Sequence, residues 1–388
     1  MSAVAGAFET ITLQHRWPMQ PISKVVTFYG GGTPSKQRGD FWGGDIPWVS
    51  PKDMKSDVVT ESIDNITPAA VDGSAVKMIS AGALLVVVRS GILARTVPIA
   101  RAGVGLTINQ DLKALVPSPS LDASFLTYFM QSAEGHLLAV VSRGATVHRL
   151  ETDALKSLEI PLPPLAEQRR IVAKLDQAFA ALDRACANAE ANLGDARQLF
   201  DAEIQLAFER AAEGRRMLPF DSLCEALTPK LKLKRQDYLA DGAYPVVSQE
   251  ADLISGYWND ASAVLEKEGD VVVFGDHTCC LKYVDFDFVV GADGTKVLQP
   301  SNGISGKFLY YGLRSQPIQQ TGYARHFKLL REKALPDLSM PEQKRITDHL
   351  DQMEARCVKL SEAYQSKLKD IAALRQSLLQ AAFSGQLT

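Results

Sequence analysis

The sequence predicts an α+β chain in which two globular, mixed α/β domains are each followed by a long helix. Three observations predict it. The segment AEQRRIVAKLDQ at residues 166–177 returns as PEQKRITDHLDQ at 341–352, with seven identities over the eleven positions from Glu167 and Glu342 onward. After each copy, apolar residues recur at alternating spacings of four and three, the seam of a coiled coil. Finally, 388 residues with 46% apolar and 22% charged content and a mean hydropathy of -0.05 describe globular material too long for one small core.

Taken in order, residues 1–17 form an N-terminal segment, 18–163 a first globular unit and 164–212 a first long helix. Residues 213–338 form a second unit and 339–388 a second helix. The units resemble each other in sequence. GDIPWVS at 44–50 pairs with GAYPVVS at 242–248, FLTYFMQS at 125–132 pairs with FLYYGLRS at 308–315, and His148 and His326 each follow a glycine by four residues. The order is the same both times, so the chain has an approximate two-fold redundancy and calls for a ligand or partner with two halves. Within the units, short β-type runs at 83–88, 271–274 and 286–290 lie between Gly, Asp and Asn clusters, and a short helix is expected at 124–132 and again from Lys307. Residues 30–34, 50–53 and 142–144 are loop chemistry.

The first long helix should carry its stripe on Leu175, Phe179, Leu182, Cys186, Ala189, Leu193, Ala196 and Phe200, and the second on Ile346, Leu350, Met353, Cys357, Leu360 and Tyr364. Beyond a four-residue phase slip the second continues through Leu368, Ile371, Leu374 and Leu378. A rod of about 45 residues is roughly 65 to 70 Å long, too long to hide its stripe in one small domain, so the two helices are expected to bury their seams on each other. Pro163-Pro164 and Pro341 mark the helix starts, and Ser339-x-x-Glu342 is a capping box found in the second copy alone. Gly194 weakens the first helix by about 1 kcal/mol relative to Ala.

Composition excludes several function classes. A net charge of -3 and a pI of 6.1 count against nucleic-acid binding by bulk attraction alone, leaving a local basic patch as the available route. No run of eighteen apolar residues offers a membrane span, and the N-terminus lacks the pattern of a signal or transit peptide, so a cytoplasmic protein is expected. Five cysteines make no disulfide framework and read as packing residues.

Phe28-Tyr-Gly30-Gly-Gly32 fits the F-x-G-x-G loop of S-adenosylmethionine binders. The Asn/Asp-Pro-Pro-aromatic motif of amino-methyltransferases has no counterpart here, and the preferred reading is a turn that lets backbone approach a ligand closely. Pro336-Asp337 with Glu342-Gln-Lys344 imitates a nuclease site at too tight a spacing. His277-x-Cys279-Cys280 gathers soft ligands without a fourth at zinc spacing. No P-loop occurs. Catalytic residues and metal ligands are therefore expected to be absent.

What remains is a set of polar and basic loop residues at matching places in the two units. Thr33, Ser35, Lys36, Arg38, Ser50 and Lys52 form one cluster, and Arg143, Thr146, His148 and Arg149 another. Their counterparts are Lys230, Lys232, Lys234, Arg235, Ser248 and Gln249, then Tyr323, Arg325, His326 and Lys328. Arg and Lys can take guanine O6 and N7, Gln can take adenine, and the others can grip phosphate. Singly, each is as well explained as a solvated loop charge; the duplication is what raises the groups above that.

The residues GGTPSK and FWGGDIPWVSPKDM within 31–54, TINQDLKAL at 107–115, IPLPPLAEQRRIV at 160–172, PEQKRI at 341–346 and LLQAAFSGQL at 378–387 resemble the specificity (S) subunit of type I restriction-modification systems, the HsdS family. The resemblance runs from about Pro18 to Thr388. The sequence departs from the pattern at Thr228-Pro-Lys230, which lacks the preceding glycines, and at its second boundary, which lacks Pro-Pro. The resemblance implies a non-catalytic DNA reader whose two target-recognition domains each read one half of a split site. It also implies that the long helices pair antiparallel, in a pseudo-two-fold repeat, to set the spacer and dock two modification (methyltransferase) subunits. No cofactor is then expected on this chain. S-adenosylmethionine would sit on the modification subunits, and ATP and Mg on restriction (endonuclease/translocase) subunits where these are present. Two other readings stay open: a coiled-coil scaffold whose units bind proteins, and a self-sufficient DNA methyltransferase using the Phe28 loop.

Overall fold

The computed structural model describes residues 17–144, 146–291, 294–320 and 324–386. It divides the chain into two compact units, residues 1–187 with 368–388, and residues 188–367. The long helices run Leu165–Ala212 and Met340–Phe383, so each contributes one part to each unit.

The first unit is built on a five-stranded sheet in the order Val26–Gly30, Leu112–Pro117, Leu84–Val87, Ile99–Ala102, Val58–Val59. All pairings are antiparallel except the last. Leu84–Val87 is central and fully buried, which is why it reads as an uninterrupted apolar run rather than an alternating one. A second, three-stranded sheet has Trp42–Val49 antiparallel to Asn65–Ile66 and parallel to Thr107–Ile108. Met19–Pro21 pairs with Glu159–Pro161, leading the chain into the first long helix. The helix Ala123–Ser132 is capped by the Asp122 carboxylate, which accepts from the Ser124 and Phe125 N–H groups at 2.9 and 3.1 Å. It buries Phe125, Leu126, Phe129 and Met130. Both long helices pack on it within this unit: Phe383 meets Phe125 and Phe129 edge-on at 5.0 and 5.5 Å, and Phe179 meets Tyr128 at 5.3 Å.

The second unit has Cys224–Leu227, Thr295–Pro300, Val271–Gly275 and Leu281–Val284 in one antiparallel sheet. Tyr244–Val247 lies antiparallel to Gly256–Trp258 and parallel to Val289–Val290, and Met217–Pro219 pairs with Ala334–Pro336. This is the pairing order of the first unit without its fifth strand and without a counterpart to the pair Arg89–Ser90 with His148–Arg149. Of the run expected at 286–290 only Val289–Val290 is extended into a ladder; Phe288 is buried before the strand begins. The helix Gly306–Arg314, capped by Ser305, packs Tyr311 and Phe308 on Phe200 and Phe208 of the first long helix, at 6.3 and 5.2 Å.

The repeated Glu-Gln pair has a structural purpose. Gln168 and Gln343 are fully buried. The Gln168 amide donates to the Ser120 and Pro163 carbonyls at 2.9 and 2.8 Å and accepts from the Asp122 N–H at 2.8 Å. Gln343 repeats this with Gly303 O, Leu338 O and the Ser305 N–H, at 2.7, 2.9 and 2.9 Å. Each glutamine thus ties a long helix to the turn that caps the short helix beside it. Glu342 completes the capping box, accepting from the Ser339 N–H and hydroxyl at 2.9 and 2.6 Å.

Along the seam, Leu175, Phe179 and Leu350 are buried, and Leu182, Leu193, Met353 and Leu368 are half-buried. Leu360 departs from the expectation, being 43% exposed, as does Leu374 at 48%. Heptad spacing fixes which face of a helix a residue lies on, not whether anything packs against it there.

Candidate nucleic-acid interface

In the first unit the parallel strands pair Trp48 with Thr107 and Val49 with Ile108. They release two loops side by side, 50–53 and 109–111, joined by the Asn109 N–H to the Val49 carbonyl at 2.9 Å. Between them opens a cleft of about 530 Å³ lined by Lys36, Ser50, Lys52, Arg89, Asn109 and Gln110 together with Asp64 and Asp111, with Ile63 and Val147 among its apolar walls; Asn109 is buried, its amide bonded at both ends to Asp111. Asp53 orders the neighbouring loops by accepting from the Ser50 N–H and hydroxyl, both at 2.8 Å, and from the Ile63 N–H at 2.9 Å. Thr33 reaches the edge, its hydroxyl donating to Gln110 Oε1 at 2.5 Å.

Strand pairing sets the second predicted cluster beside this cleft, although of its segment only Val147, among the described residues, lines it. His148–Arg149 pairs with Arg89–Ser90, and Ser142 bridges to Arg149, bringing Val147 to the cleft wall. Arg143, Thr146 and Arg149 are exposed, while His148 is half-buried. Among the described residues Lys36, Lys52, Arg89, Arg143 and Arg149 form no ion pair, so their charge is available to an anionic ligand. Arg38 is different. It pairs with Asp40 at 2.6 Å and lies 4.3 Å over the Phe41 ring, and the guanidinium hydrogen bond holds the Asp40 carboxyl below its usual range. Ser35 contributes its carbonyl to Trp42 Nε1 at 3.2 Å.

Sequence reasoning missed Arg89, Asn109 and Gln110. The last two lie within TINQDLKAL, and Arg89 sits one residue beyond the apolar run 83–88. Only strand pairing brings these positions to the loop at 50–53.

The equivalent loops of the second unit are held more internally. Ser248 is buried, its hydroxyl 2.7 Å from that of Ser255. Gln249 accepts at Oε1 from the His277 N–H at 3.3 Å and at its carbonyl from the Thr278 hydroxyl at 2.5 Å. The buried Lys282 ammonium donates to Ser248 O at 2.8 Å and to Asp252 O, and burial lowers its pKa. Lys230 pairs with Glu266 at 2.6 Å and Arg235 with Glu250 at 3.3 Å. Lys232 donates to the Thr295 carbonyl at 2.7 Å. Lys234, Arg325 and Lys328 are exposed. His326 is fully buried, its N–H donating to Asp276 O at 2.8 Å and its Nδ1 lying 3.0 Å from the same oxygen. His326 and Ser248 are therefore interior residues that hold loops, because each meets its polar partners inside the unit. Tyr323 lies outside the described residues.

The glycine-rich turn, the nuclease-like pattern and His277 each have partners within their own unit. A Cβ at Gly31 would stand 1.9 Å from Asn109 O and 2.3 Å from Ile108 O, so the glycine-rich turn is packed on the backbone of its own parallel strand pair. Glu342 of the nuclease-like pattern is engaged in the capping box and with Arg215 at 2.8 Å. His277 Nδ1 lies 3.1 Å from the Ala324 carbonyl oxygen. Among the described residues no group of three His, Cys, Asp or Glu is placed to hold a metal, and no helix is long and apolar enough to cross a membrane.

Residues 15–189 match the family model of the type I restriction modification DNA specificity domain. That stretch, 175 of the 388 residues, is what is similar to a specificity domain. The chain is 39% identical over 158 residues to the EcoR124I/EcoR124II specificity subunit of Escherichia coli, and 32% identical over 163 residues to the MjaIX specificity subunit of Methanocaldococcus jannaschii. The matched stretches take in 40% and 41% of this chain but only 39% and 37% of those relatives. Over 96% of its length the chain also has the fold of a chain solved in connection with complex assembly and conformational transition of the type I R-M system (TM-score 0.70, 18% identity, 98% of that chain). The HsdS subunit from Thermoanaerobacter tengcongensis follows at a TM-score of 0.54, with 18% identity and 97% of that chain covered. At such identity the likeness is one of fold.

Proposed function

We propose that this chain is the non-catalytic, sequence-reading subunit of a type I restriction-modification complex, each unit reading one half of a bipartite DNA site. The observation that carries the reading is the cleft of the first unit. There Lys36, Lys52 and Arg89, exposed and without ion pairs among the described residues, stand beside the exposed amide of Gln110. Cationic groups next to an amide side chain at the end of a rigid strand pair are what phosphate gripping with base-edge readout needs. An acidic chain, net -3, then discriminates while modification subunits supply most of the phosphate contact.

The second unit, with its matching strand order, is the other half of an internal repeat. The long helices form an antiparallel coiled-coil pair that fixes the spacer and docks two modification subunits. Antiparallel pairing is supported within the second unit, where Glu203 meets His349 at 2.9 Å and Arg215, just past the end of the first helix, meets Glu342 at the start of the second at 2.8 Å. In the first unit Arg375 meets Asp183 at 2.7 Å and lies over the Phe179 ring. S-adenosylmethionine belongs to the modification subunits, ATP and Mg to restriction subunits where these join, and the complex works in the cytoplasm.

The test is to reconstitute the chain with its modification subunits and map the methylated motif. A two-part motif is expected, and matched seven-residue deletions from both long helices should change its spacer while preserving its halves. Changed halves with an unchanged spacer, or methylation without a motif, would overturn the reading.

A further inference from the structure

The loop joining Trp42–Val49 to Asn65–Ile66 carries Ile63, which is 67% exposed; among the described residues no large apolar side chain is more so. A scattered surface isoleucine ordinarily needs no explanation. This one is held firmly in place. Asp53 accepts its N–H at 2.9 Å. The neighbouring Ser62 hydroxyl accepts from the Trp48 N–H at 2.9 Å and donates to the Asp64 carbonyl at 2.7 Å, and the Trp48 N–H also reaches that carbonyl at 3.0 Å. Ile63 lines the same cleft as Lys36, Lys52 and Arg89.

The second unit does the same with other chemistry. Its corresponding loop, between Tyr244–Val247 and Gly256–Trp258, bears Leu253 at 45% and Ile254 at 38% exposure. Here the Ser248 and Ser255 hydroxyls clasp each other and the Lys282 ammonium binds the Ser248 and Asp252 carbonyls. A carboxylate anchors one loop and an ammonium the other, yet each presents an apolar tip at the same point of the topology. What the two loops share is the tip, not the means of holding it.

We infer that these tips are specificity prongs that contact thymine 5-methyl groups in the major groove. The inference rests on the reading of the chain as a DNA recogniser and names what its loops distinguish. The 5-methyl is the apolar group a base pair presents in that groove, and a preordered apolar tip can meet it without ordering cost; beside Ile63, Lys36, Lys52 and Arg89 can hold the backbone at the same time.

The full chain, reconstituted with modification subunits, is titrated against its own motif with thymines replaced one at a time by uracil. Uracil removes only the methyl. At a thymine in the half read by the first unit, binding should weaken roughly fourfold, the worth of one buried carbon. Ile63→Ala should bind thymine and uracil there equally, and Ile63→Val should keep part of the difference. Leu253→Ala should abolish the uracil effect in the other half alone. A flat uracil scan with sequence preference intact, a half-site without an A·T pair, or a uracil effect that survives Ile63→Ala overturns the prong. A complex with no sequence preference at all defeats the recognition reading beneath it.

Discussion

The two units share most of a ladder order and differ in their loops, and the difference separates the hydrogen-bonded frame from what individualises each unit. Both place a parallel strand pair beside an antiparallel sheet, both close with a short strand pair ahead of a long helix, and both plug that helix in with a buried glutamine. In the first unit Lys36, Lys52 and Arg89 stand free of ion pairs among the described residues around an open cleft. In the second unit Lys230 and Arg235 face Glu266 and Glu250, and Lys232 is spent on a carbonyl. A hydrogen-bonded frame tolerates little change because every buried polar group must stay paired, whereas exposed loop charges change at small cost in stability.

The frame can be broken most sharply at its glutamines. Gln168→Ala and Gln343→Ala each leave one N–H and two carbonyls without the side chain that satisfied them, at about 1 to 3 kcal/mol per unsatisfied group. Each variant should therefore lower the urea midpoint by an amount equivalent to about 3 kcal/mol or more. If one glutamine responds and the other does not, the equivalence of the two frames is broken.

Readout itself is the next comparison. Arg143→Ala should relax discrimination in one half-site and Arg325→Ala in the other, by about 1 to 3 kcal/mol where a guanidinium takes a base edge. Competition with duplexes altered one pair at a time measures it. Equal loss on every duplex would make these arginines backbone contacts.

Much of the frame was legible in the chain. Heptad spacing located both long helices, because apolar periodicity is a local property. Leu360 and Leu374 are exposed all the same, since spacing fixes the face a residue lies on and not what packs against it. The repeat exposed the matching loops but not their chemistry. Ser248 and His326 look like surface readers in sequence and are interior anchors in the fold, because their partners Ser255 and Asp276 are set by strand pairing. Arg89 stayed hidden for the same reason: its neighbour Arg149 lies far along the chain and meets it only through a two-residue ladder.

The smallest effect tests the charge difference between the units. A free lysine that docks on phosphate releases a counterion, and losing it lowers the slope of log K against log salt by about 1. Lys52→Ala should do this on any duplex. Lys230→Ala should lower the slope less, because Lys230 must first leave Glu266, and both side chains of that pair are well exposed. The lysine in turn holds the Glu266 carboxyl below its usual range. A depressed carboxylate pKa means the pair persists at neutral pH and is lost as pH falls through that lowered value, so at neutral pH Lys230 remains engaged. Glu266→Gln removes the competitor, and in that background Lys230→Ala should change the salt slope as much as Lys52→Ala does. Equal slopes for Lys52→Ala and Lys230→Ala with Glu266 in place would mean that the ion pair does not restrain Lys230, and the electrostatic contrast between the two units would then lie elsewhere.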